Sequence, residues 1–264
     1  MGGPDAKGAD VGGSDAKGAD VGSSDVGGVD VGGSEMRVLA VLTARGGSTR
    51  IPHKNIREFC GKPMLAWPLA AALESGLFDE VMVSTDDDEI ASVARECGAS
   101  VPFMRSAAAS DDFATTADVI DEVLSCWEER GVSFDVVCCL YPTAPFVTAG
   151  ELREGLSLIR GGASGVVCVS DFDFPPQRAL LLADDGSLSF ERPEFACTRS
   201  QDLPATVHDC GRFYFTRVDA WREERTFLSK NCRALVIDPR IACDIDTPAD
   251  WEIAEMKFRR MRRG

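Results

Sequence analysis

Residues 38–55 read VLAVLTARGGSTRIPHKN, so an apolar run passes directly into a loop rich in glycine and cationic side chains. The run predicts a buried strand over residues 37–43. Glycines let a backbone approach an anion closely, and arginine and lysine supply full charge for phosphate oxygens. The loop therefore predicts a binding site for a nucleotide triphosphate. The alternative is an ordinary surface turn with solvated charges.

The composition limits the classes of partner. The chain has 264 residues, 44% of them hydrophobic, which suits one large domain or two small ones. Its formal net charge of −15 argues against nucleic acid or an anionic membrane as a partner. No apolar run reaches the roughly 18 residues of a membrane span, and no signal-peptide core begins the chain. Ten cysteines without a C-x-x-C pair do not form a zinc pattern. Their even number is compatible with disulfides, but the lack of a signal-peptide core favours reduced, mostly buried thiols in the cytoplasm.

Residues 1–35 differ in composition from the rest of the chain. They repeat a Gly- and Asp-rich unit with a period of ten, as in GGPDAKGADV and GGSDAKGADV. With few large apolar groups, this segment cannot offset the entropy lost on ordering, which predicts a disordered tail. A calcium-binding β-roll is the weaker alternative, because its repeats are nonapeptides with another pattern. The folded domain is then residues 36–264.

Short apolar runs alternate with helical patterns after residue 36, which predicts an α/β domain with a mainly parallel sheet. Ligands of such sheets bind at the carboxyl ends of the strands, where the opening loop lies. Pro63 opens one predicted helix, with a kink or later start at Pro68. The other predicted helices are 88–96, 116–129, 148–159 and one capped by Thr247; the predicted strands are 37–43, 80–84, 100–104, 135–141, 164–170, 211–216 and 233–238.

Two acidic motifs follow predicted strands. The first is the run of three aspartates at residues 86–88, which follows the predicted strand 80–84. Asp87 and Asp88 are interpreted as helix-capping residues, and Asp86 as a residue that faces the site. In the second, Asp244 and Asp246 flank Ile245, and strand alternation places both carboxylates on one face and Ile245 in the core. Two carboxylates together with substrate phosphates suit Mg²⁺. The alternative makes Asp246 a turn residue before the last helix.

The interval 171–210 shows little strand or helix pattern. A stretch of this length is usually functional or an insertion. Its arginines and His208 can hold an anionic acceptor such as a carboxylate. The alternative is a set of hairpin-like turns with solvated charges.

Four motifs together, in this order, resemble those of the acylneuraminate cytidylyltransferases (CMP–sialic acid synthetases): residues 44–55, 83–86, 135–145 and 244–247. Within this family the chain is most similar to the pseudaminic acid cytidylyltransferases. Tyr141 and His208 stand where the sialic acid enzymes usually have glutamine and arginine, which argues against N-acetylneuraminate as the acceptor. Thr49 stands where the family loop normally has lysine. The segments that carry the closer similarity are 101–105, 110–113, 143–146, 176–179, 198–203, 208–211 and 244–251.

The resemblance implies a three-layer fold of the nucleotide-diphospho-sugar transferase (Rossmann-like) type and a homodimer. Residues 171–210 would be a small dimerisation lobe that helps build the partner's sugar pocket. The implied reaction joins CTP and a nonulosonic acid, expected to be pseudaminic acid, into a CMP-sugar and pyrophosphate, with Mg²⁺ or alternatively Mn²⁺. The alternatives are N-acetylneuraminate or legionaminate as the acceptor, a transferase that uses a nucleotide sugar, and a catalytically silent nucleotide-binding scaffold.

The resemblance also implies roles for individual residues. The catalytic residues would be Arg45, Lys54 and Asp246, with Asp244 and Asp246 as metal ligands. The nucleotide would be bound by Leu42, Ala44, Arg45, Gly46, Gly47, Ser48, Asn55, Ser84, Asp86, Arg105 and Thr115. The acceptor would be bound by Tyr141, Thr143, Gln177, Arg178, Arg199, Gln201, His208 and Asp209.

Overall fold

A computed structural model describes residues 36–48, 50–111 and 113–262 of the chain. The predicted disorder of residues 1–35 and the role of Thr49 lie outside these ranges. Within them, the chain forms ten strands: β1 (Val38–Thr43), β2 (Glu58–Phe59), β3 (Lys62–Pro63), β4 (Glu80–Ser84), β5 (Val136–Leu140), β6 (Gly165–Asp171), β7 (Leu180–Leu182), β8 (Leu188–Phe190), β9 (Val207–Arg217) and β10 (Cys232–Val236). The helices are α1 (Ala66–Ser75), α2 (Asp88–Glu96), α3 (Thr116–Glu128), α4 (Ala149–Arg160), α5 (Val218–Glu224) and α6 (Pro248–Met261).

Six of the strands form the main sheet, in the order β10-β6-β9-β5-β1-β4. β1 pairs in parallel with both β4 and β5, and Leu42 lies opposite Val83 and Leu140. β9 is antiparallel to both β5 and β6, while β10 and β6 are parallel. The mainly parallel sheet is therefore confirmed, and the carboxyl ends of β1, β4 and β5 meet at one edge. The predicted strand 100–104 is wrong, because only Ser100 forms an isolated bridge, with Met82.

Helices cover both faces of this sheet. α1, α2 and α4 contribute Leu69, Ile90 and Leu156 to one buried cluster. α3 and α5 contribute Ile120 and Trp221 to the cluster on the opposite face. This arrangement confirms the three-layer α/β fold.

Side-chain caps fix where the helices begin. Asp87 caps α2, and Thr115, Thr148 and Thr247 form capping boxes at α3, α4 and α6. Each cap satisfies a backbone N–H that has no partner inside the helix. α1 begins at Ala66, so Pro68 lies in its first turn, where a missing N–H costs little.

A third buried cluster joins distant parts of the chain beside the sheet. Ile51 from the loop after β1 and Ile245 from the loop before α6 are both fully buried in it. The Phe59 ring meets Trp251 edge-on, with 5.4 Å between centroids, and Phe258 at 5.3 Å. The predicted inward position of Ile245 is confirmed. This packing holds residues 244–246 against the loop after β1.

The chain between β6 and β9 forms a small lobe. It contains the β7–β8 hairpin and three short 3₁₀ turns over residues 176–178, 193–195 and 200–202. β9 begins at Val207, four residues before the predicted strand. The structure of the interval is thus closer to hairpin-like turns than to a structureless insertion. Four leucines of the hairpin are half or more exposed: Leu180 (51%), Leu181 (54%), Leu182 (74%) and Leu188 (64%).

Candidate active site

The loop after β1 is held against the end of β4. The Ala44 N–H donates to the Ser84 carbonyl at 3.0 Å, and the Gly46 N–H donates to the Asp86 carboxylate at 3.0 Å. A Cβ atom at Gly46 would lie 2.7 Å from Oδ2 of Asp87, so a larger residue there would force the Asp87 side chain to shift. The loop geometry therefore depends on both the glycine and the acidic motif after β4.

A cavity of about 340 Å³ opens where β1 and β5 end. Among the described residues, its wall includes four cationic side chains and a single acidic one, Asp111. In a protein of net charge −15, this local excess of positive charge favours a polyanionic ligand. The cations are Arg45, Arg50, Lys54 and Arg105.

Arg105 is the most deeply placed of these cations, at 7% exposure. Its Nε donates to the Ser84 hydroxyl at 3.0 Å and its Nη2 to the Ser84 carbonyl at 2.5 Å. Burial lowers the pKa of Arg105, and the nearby Asp86 carboxylate opposes that shift. An anion bound in the cavity would stabilise the charged guanidinium further.

Lys54 connects this cavity to the acidic pair near the carboxyl end of the chain. Its Nζ donates to the Ile245 carbonyl at 2.8 Å and lies 3.3 Å from Oδ1 of Asp246. Oδ2 of Asp246 is 3.0 Å from the Arg50 guanidinium. Burial, and then the negative charge of Asp246, raise the pKa of the Asp244 carboxyl. The two carboxylates therefore form one coupled electrostatic unit beside the cavity.

The chemistry of this pair fits a hard divalent cation, because both ligands are carboxylate oxygens. The described residues contain no group of three or more His, Cys, Asp or Glu side chains arranged to hold a metal. A cation at Asp244 and Asp246 would thus complete its coordination with substrate phosphates and water, as Mg²⁺ usually does.

A second cavity of about 500 Å³ adjoins the first, and the two share Thr115, Thr116 and Tyr141. Its charged groups are Asp209 and Arg225. Most of its remaining wall is apolar: Val167, Val169, Val207, Tyr214, Trp221, Phe227 and Leu228. We call the first the cationic cavity and the second the apolar cavity.

Arg225 fixes the outer wall of the apolar cavity. Its guanidinium binds Asp118 at 2.6 Å and Asp121 at 2.5 Å, both on α3. Asp121 also accepts from Nε1 of Trp221 at 2.7 Å. Asp118 is the same side chain that completes the Thr115 capping box. The ion pair in the wall of the apolar cavity is therefore connected through Asp118 to Thr115, which lines both cavities.

The structure brings many of the predicted nucleotide-binding residues to the cationic cavity. Leu42 and Ala44 lie buried beneath it, Ser84 anchors Arg105, and Asp86 holds the loop through Gly46. The predicted residues that line the cavity are Arg45, Gly47, Ser48, Lys54, Asn55, Arg105, Thr115, Tyr141 and Thr143.

The predicted acceptor residues are more scattered. Asp209 lines the apolar cavity, whereas Gln177 is buried in the lobe and donates to the Pro204 carbonyl at 2.9 Å. Arg199 pairs with Asp202 at 2.7 Å, and the His208 ring packs 4.9 Å from Phe172. Five of the predicted acceptor residues line neither cavity of this chain: Gln177, Arg178, Arg199, Gln201 and His208. Their role in acceptor binding stays a prediction.

Sequence reasoning missed most of the apolar cavity. Its wall uses Tyr214 from a strand, Trp221 from a helix and Phe227 from a loop. Each residue type is also typical of an ordinary core, so no local pattern marks these positions.

A model of the cytidylyltransferase family matches residues 39–159. The pseudaminic acid cytidylyltransferase of Campylobacter jejuni is 37% identical over 225 residues, which cover 85% of this chain and 97% of that protein. The chain belongs to the cytidylyltransferase family. The CMP-N,N'-diacetyllegionaminic acid synthase of Legionella pneumophila is 35% identical to this cytidylyltransferase, over 83% of this chain and 95% of that protein. These relatives confirm the predicted family and enzyme class.

Solved structures confirm the fold. A CMP:2-keto-3-deoxy-manno-octonic acid synthetase complexed with CTP superposes on this cytidylyltransferase with a TM-score of 0.61 at 19% identity, covering 85% of this chain and 99% of that one. The 4-diphosphocytidyl-2C-methyl-D-erythritol synthase of Anaerococcus prevotii gives a TM-score of 0.58 at 13% identity, with the same coverage.

The described part of the chain has no helix with the length and apolar character of a membrane span.

Proposed function

We propose that this cytidylyltransferase joins CTP and a nonulosonic acid into a CMP-sugar and pyrophosphate. The observation that carries the proposal is the pair of adjoining cavities, one cationic and one largely apolar, that meet at Tyr141. The first suits a triphosphate, and the second suits the less charged body of a sugar acid. The similarity to a pseudaminic acid cytidylyltransferase favours pseudaminic acid as the acceptor.

The cationic cavity would position the nucleotide for attack. Arg45, Ser48 and Lys54 would hold the phosphates, while Asn55 and Arg105 would contact the ribose or cytosine. The anomeric hydroxyl of the acid attacks the α-phosphorus and pyrophosphate leaves. Such transfers depend on positioning and on stabilisation of charge in the transition state, which fixed cations supply.

Asp244 and Asp246 would hold Mg²⁺, for which Mn²⁺ is an alternative. When bound, the cation would neutralise phosphate charge and lower the pKa of the attacking hydroxyl. Lys54 supports this assignment, because its ammonium group contacts Asp246 and lines the cationic cavity.

The lobe supports a homodimer as the working form. On one face of its hairpin, Leu180, Leu182 and Leu188 are each half or more exposed, and a monomer rarely leaves such a patch uncovered. A second copy of the chain would cover it, bringing the lobe arginines near the partner's acceptor. Sedimentation of the wild type and of Leu182→Asp tests this: a dimer that dissociates in the variant is expected. A monomeric wild type would contradict it.

We also propose a cytoplasmic location. All ten cysteines lie in the described ranges and all are free thiols, which suits a reducing compartment.

The deciding experiment is a pyrophosphate-release assay with CTP and a panel of pseudaminic, legionaminic, N-acetylneuraminic and 3-deoxy-octulosonic acids. We expect the highest kcat/KM with pseudaminic acid. Release with N-acetylneuraminic acid alone would overturn the acceptor assignment. No release with any acid would favour the nucleotide-binding scaffold, and a parallel assay with nucleotide sugars tests the remaining transferase alternative.

A further inference from the structure

Both carboxylate oxygens of Asp246 contact cationic side chains. Oδ1 lies 3.3 Å from Nζ of Lys54, and Oδ2 lies 3.0 Å from Nη1 of Arg50. A divalent cation binds carboxylate oxygens directly, so it would come close to both positive groups. Like charges at such short distances repel one another. Coordination of a cation by Asp246 therefore favours the departure of one of the two side chains.

Arg50 is the less firmly held of the two. The Lys54 side chain is 17% exposed, and its Nζ also donates to the Ile245 carbonyl at 2.8 Å. The Arg50 side chain is 65% exposed, and its one ion pair with a described residue is the contact with Asp246. An exposed ion pair contributes little to stability, so breaking it costs little. Arg50 is thus the partner that can leave Asp246.

The backbone that carries Asp246 is held by contacts that do not involve Arg50. Ile245 is fully buried in the third cluster, and the Asp246 N–H donates to Oδ2 of Asp250 at 3.2 Å. Asp250 in turn completes the capping box of Thr247 at the start of α6. Loss of the Arg50 contact therefore leaves the acidic pair in position, and only one exposed side chain has to move.

Arg50 has a second anionic partner in the proposed complex with CTP. It lines the cationic cavity together with Arg45, Lys54 and Arg105. Guanidinium groups bind phosphate oxygens through paired, charge-assisted hydrogen bonds. Because Arg50 borders the cavity and also contacts Asp246, its guanidinium can change partner without a movement of the backbone.

We propose that Arg50 exchanges partners during nucleotide binding. It pairs with Asp246 in the enzyme without ligands, and with the phosphates of CTP once Asp246 holds a divalent cation. This inference rests on the proposed function, which places CTP in the cationic cavity and the cation at the acidic pair. The exchange couples the two binding events, because each of them favours the release of Arg50 from Asp246.

The test measures binding without the sugar acid, so that no turnover occurs. Electron paramagnetic resonance follows Mn²⁺ binding without CTP, and calorimetry follows CTP binding with EDTA or with saturating Mn²⁺. Arg50→Ala should bind Mn²⁺ about 5-fold more tightly than the wild type, because Asp246 has lost a competing cation. It should bind CTP about 10-fold more weakly with Mn²⁺, but less than about 2-fold more weakly with EDTA. Arg50→Lys keeps the charge and should restore most of the CTP affinity.

Arg217→Ala is the matched control. Arg217 pairs with Asp219 at 2.9 Å and lies opposite Val136, at the end of β5 away from the cavities. All its affinities should equal those of the wild type.

Three results would overturn the exchange. The first is an unchanged Mn²⁺ affinity in Arg50→Ala. The second is an equal loss of CTP affinity with Mn²⁺ and with EDTA, which would make Arg50 a phosphate ligand only. The third is the absence of Mn²⁺ binding in both proteins, which would also refute the metal role of the acidic pair. A wild type that shows the expected binding but releases no pyrophosphate with any acid would instead refute the proposed reaction and support the exchange.

Discussion

The cationic and apolar cavities share Tyr141 but are built in different ways. The cationic cavity lies on the ends of parallel strands, and three of its four cations, Arg45, Arg50 and Lys54, come from one contiguous loop after β1. The apolar cavity draws its wall from β6, β9, α5 and residues 225–228. The site that needs fixed charges is thus placed where the parallel strands β1 and β5 end. A site that needs only shape is assembled from separate segments.

The largest expected effect comes from the charges that serve the cationic cavity. Lys54→Ala or Asp246→Asn should lower pyrophosphate release about 10²–10³-fold, because the first loses a cation that would hold the phosphates and the second loses a carboxylate that would bind Mg²⁺. Thermal unfolding should remain close to that of the wild type. Lys230→Ala, at an exposed lysine outside both cavities, is the control. Near-wild-type turnover in either site variant would refute the assignment.

Ile245→Ala tests whether buried packing holds the acidic pair in place. The side chain is fully buried with Ile51 and Trp251, so its truncation should lower the free energy of unfolding by about 2–5 kcal/mol. Urea denaturation measures this change. Ile253→Ala, at a 45% exposed position of α6, should cost much less. Equal losses in the two variants would show that the third buried cluster is not what anchors this segment.

Leu228→Ser tests the apolar cavity without touching the phosphates. Leu228 lines that cavity and is 72% exposed in the free protein. Losing its contact with the acceptor should raise KM for the acid about 10-fold, equivalent to about 1.4 kcal/mol of apolar contact. KM for CTP should not change. Met256→Ser provides the control at a 62% exposed position of α6. A rise in KM for CTP, with KM for the acid unchanged, would mean that the apolar cavity binds the nucleotide and not the acid.

The smallest effect is expected outside both cavities. Deletion of residues 1–35 should leave turnover and Tm nearly unchanged, because their composition offers little to pack. Steady-state kinetics and a melting curve suffice. A loss of several degrees in Tm would show that the segment is structural.

The difference between the cavities also explains what the sequence could predict. The loop after β1 and the caps of α2, α4 and α6 could be predicted from the sequence, because each depends on a few neighbouring residues. The strand expected at 100–104 failed because a short apolar run carries no information about pairing partners. Trp221 and Leu228 were missed because their contacts join segments distant in sequence. The metal role of Asp244 and Asp246 stays a prediction.

The reversed direction of β9 has a consequence for how acceptor preference can change. Because β9 runs against its neighbours, its first residues, Val207 to Asp209, reach the same edge at which β5 ends. The lobe enters the site through this one strand, while β1 and β4 carry the nucleotide contacts on the far side of β5. Segments 172–209 and 225–228 can therefore be replaced together by those of a relative. Such chimaeras should take the sugar preference of the relative that supplied the segments and keep the CTP affinity of the enzyme that received them.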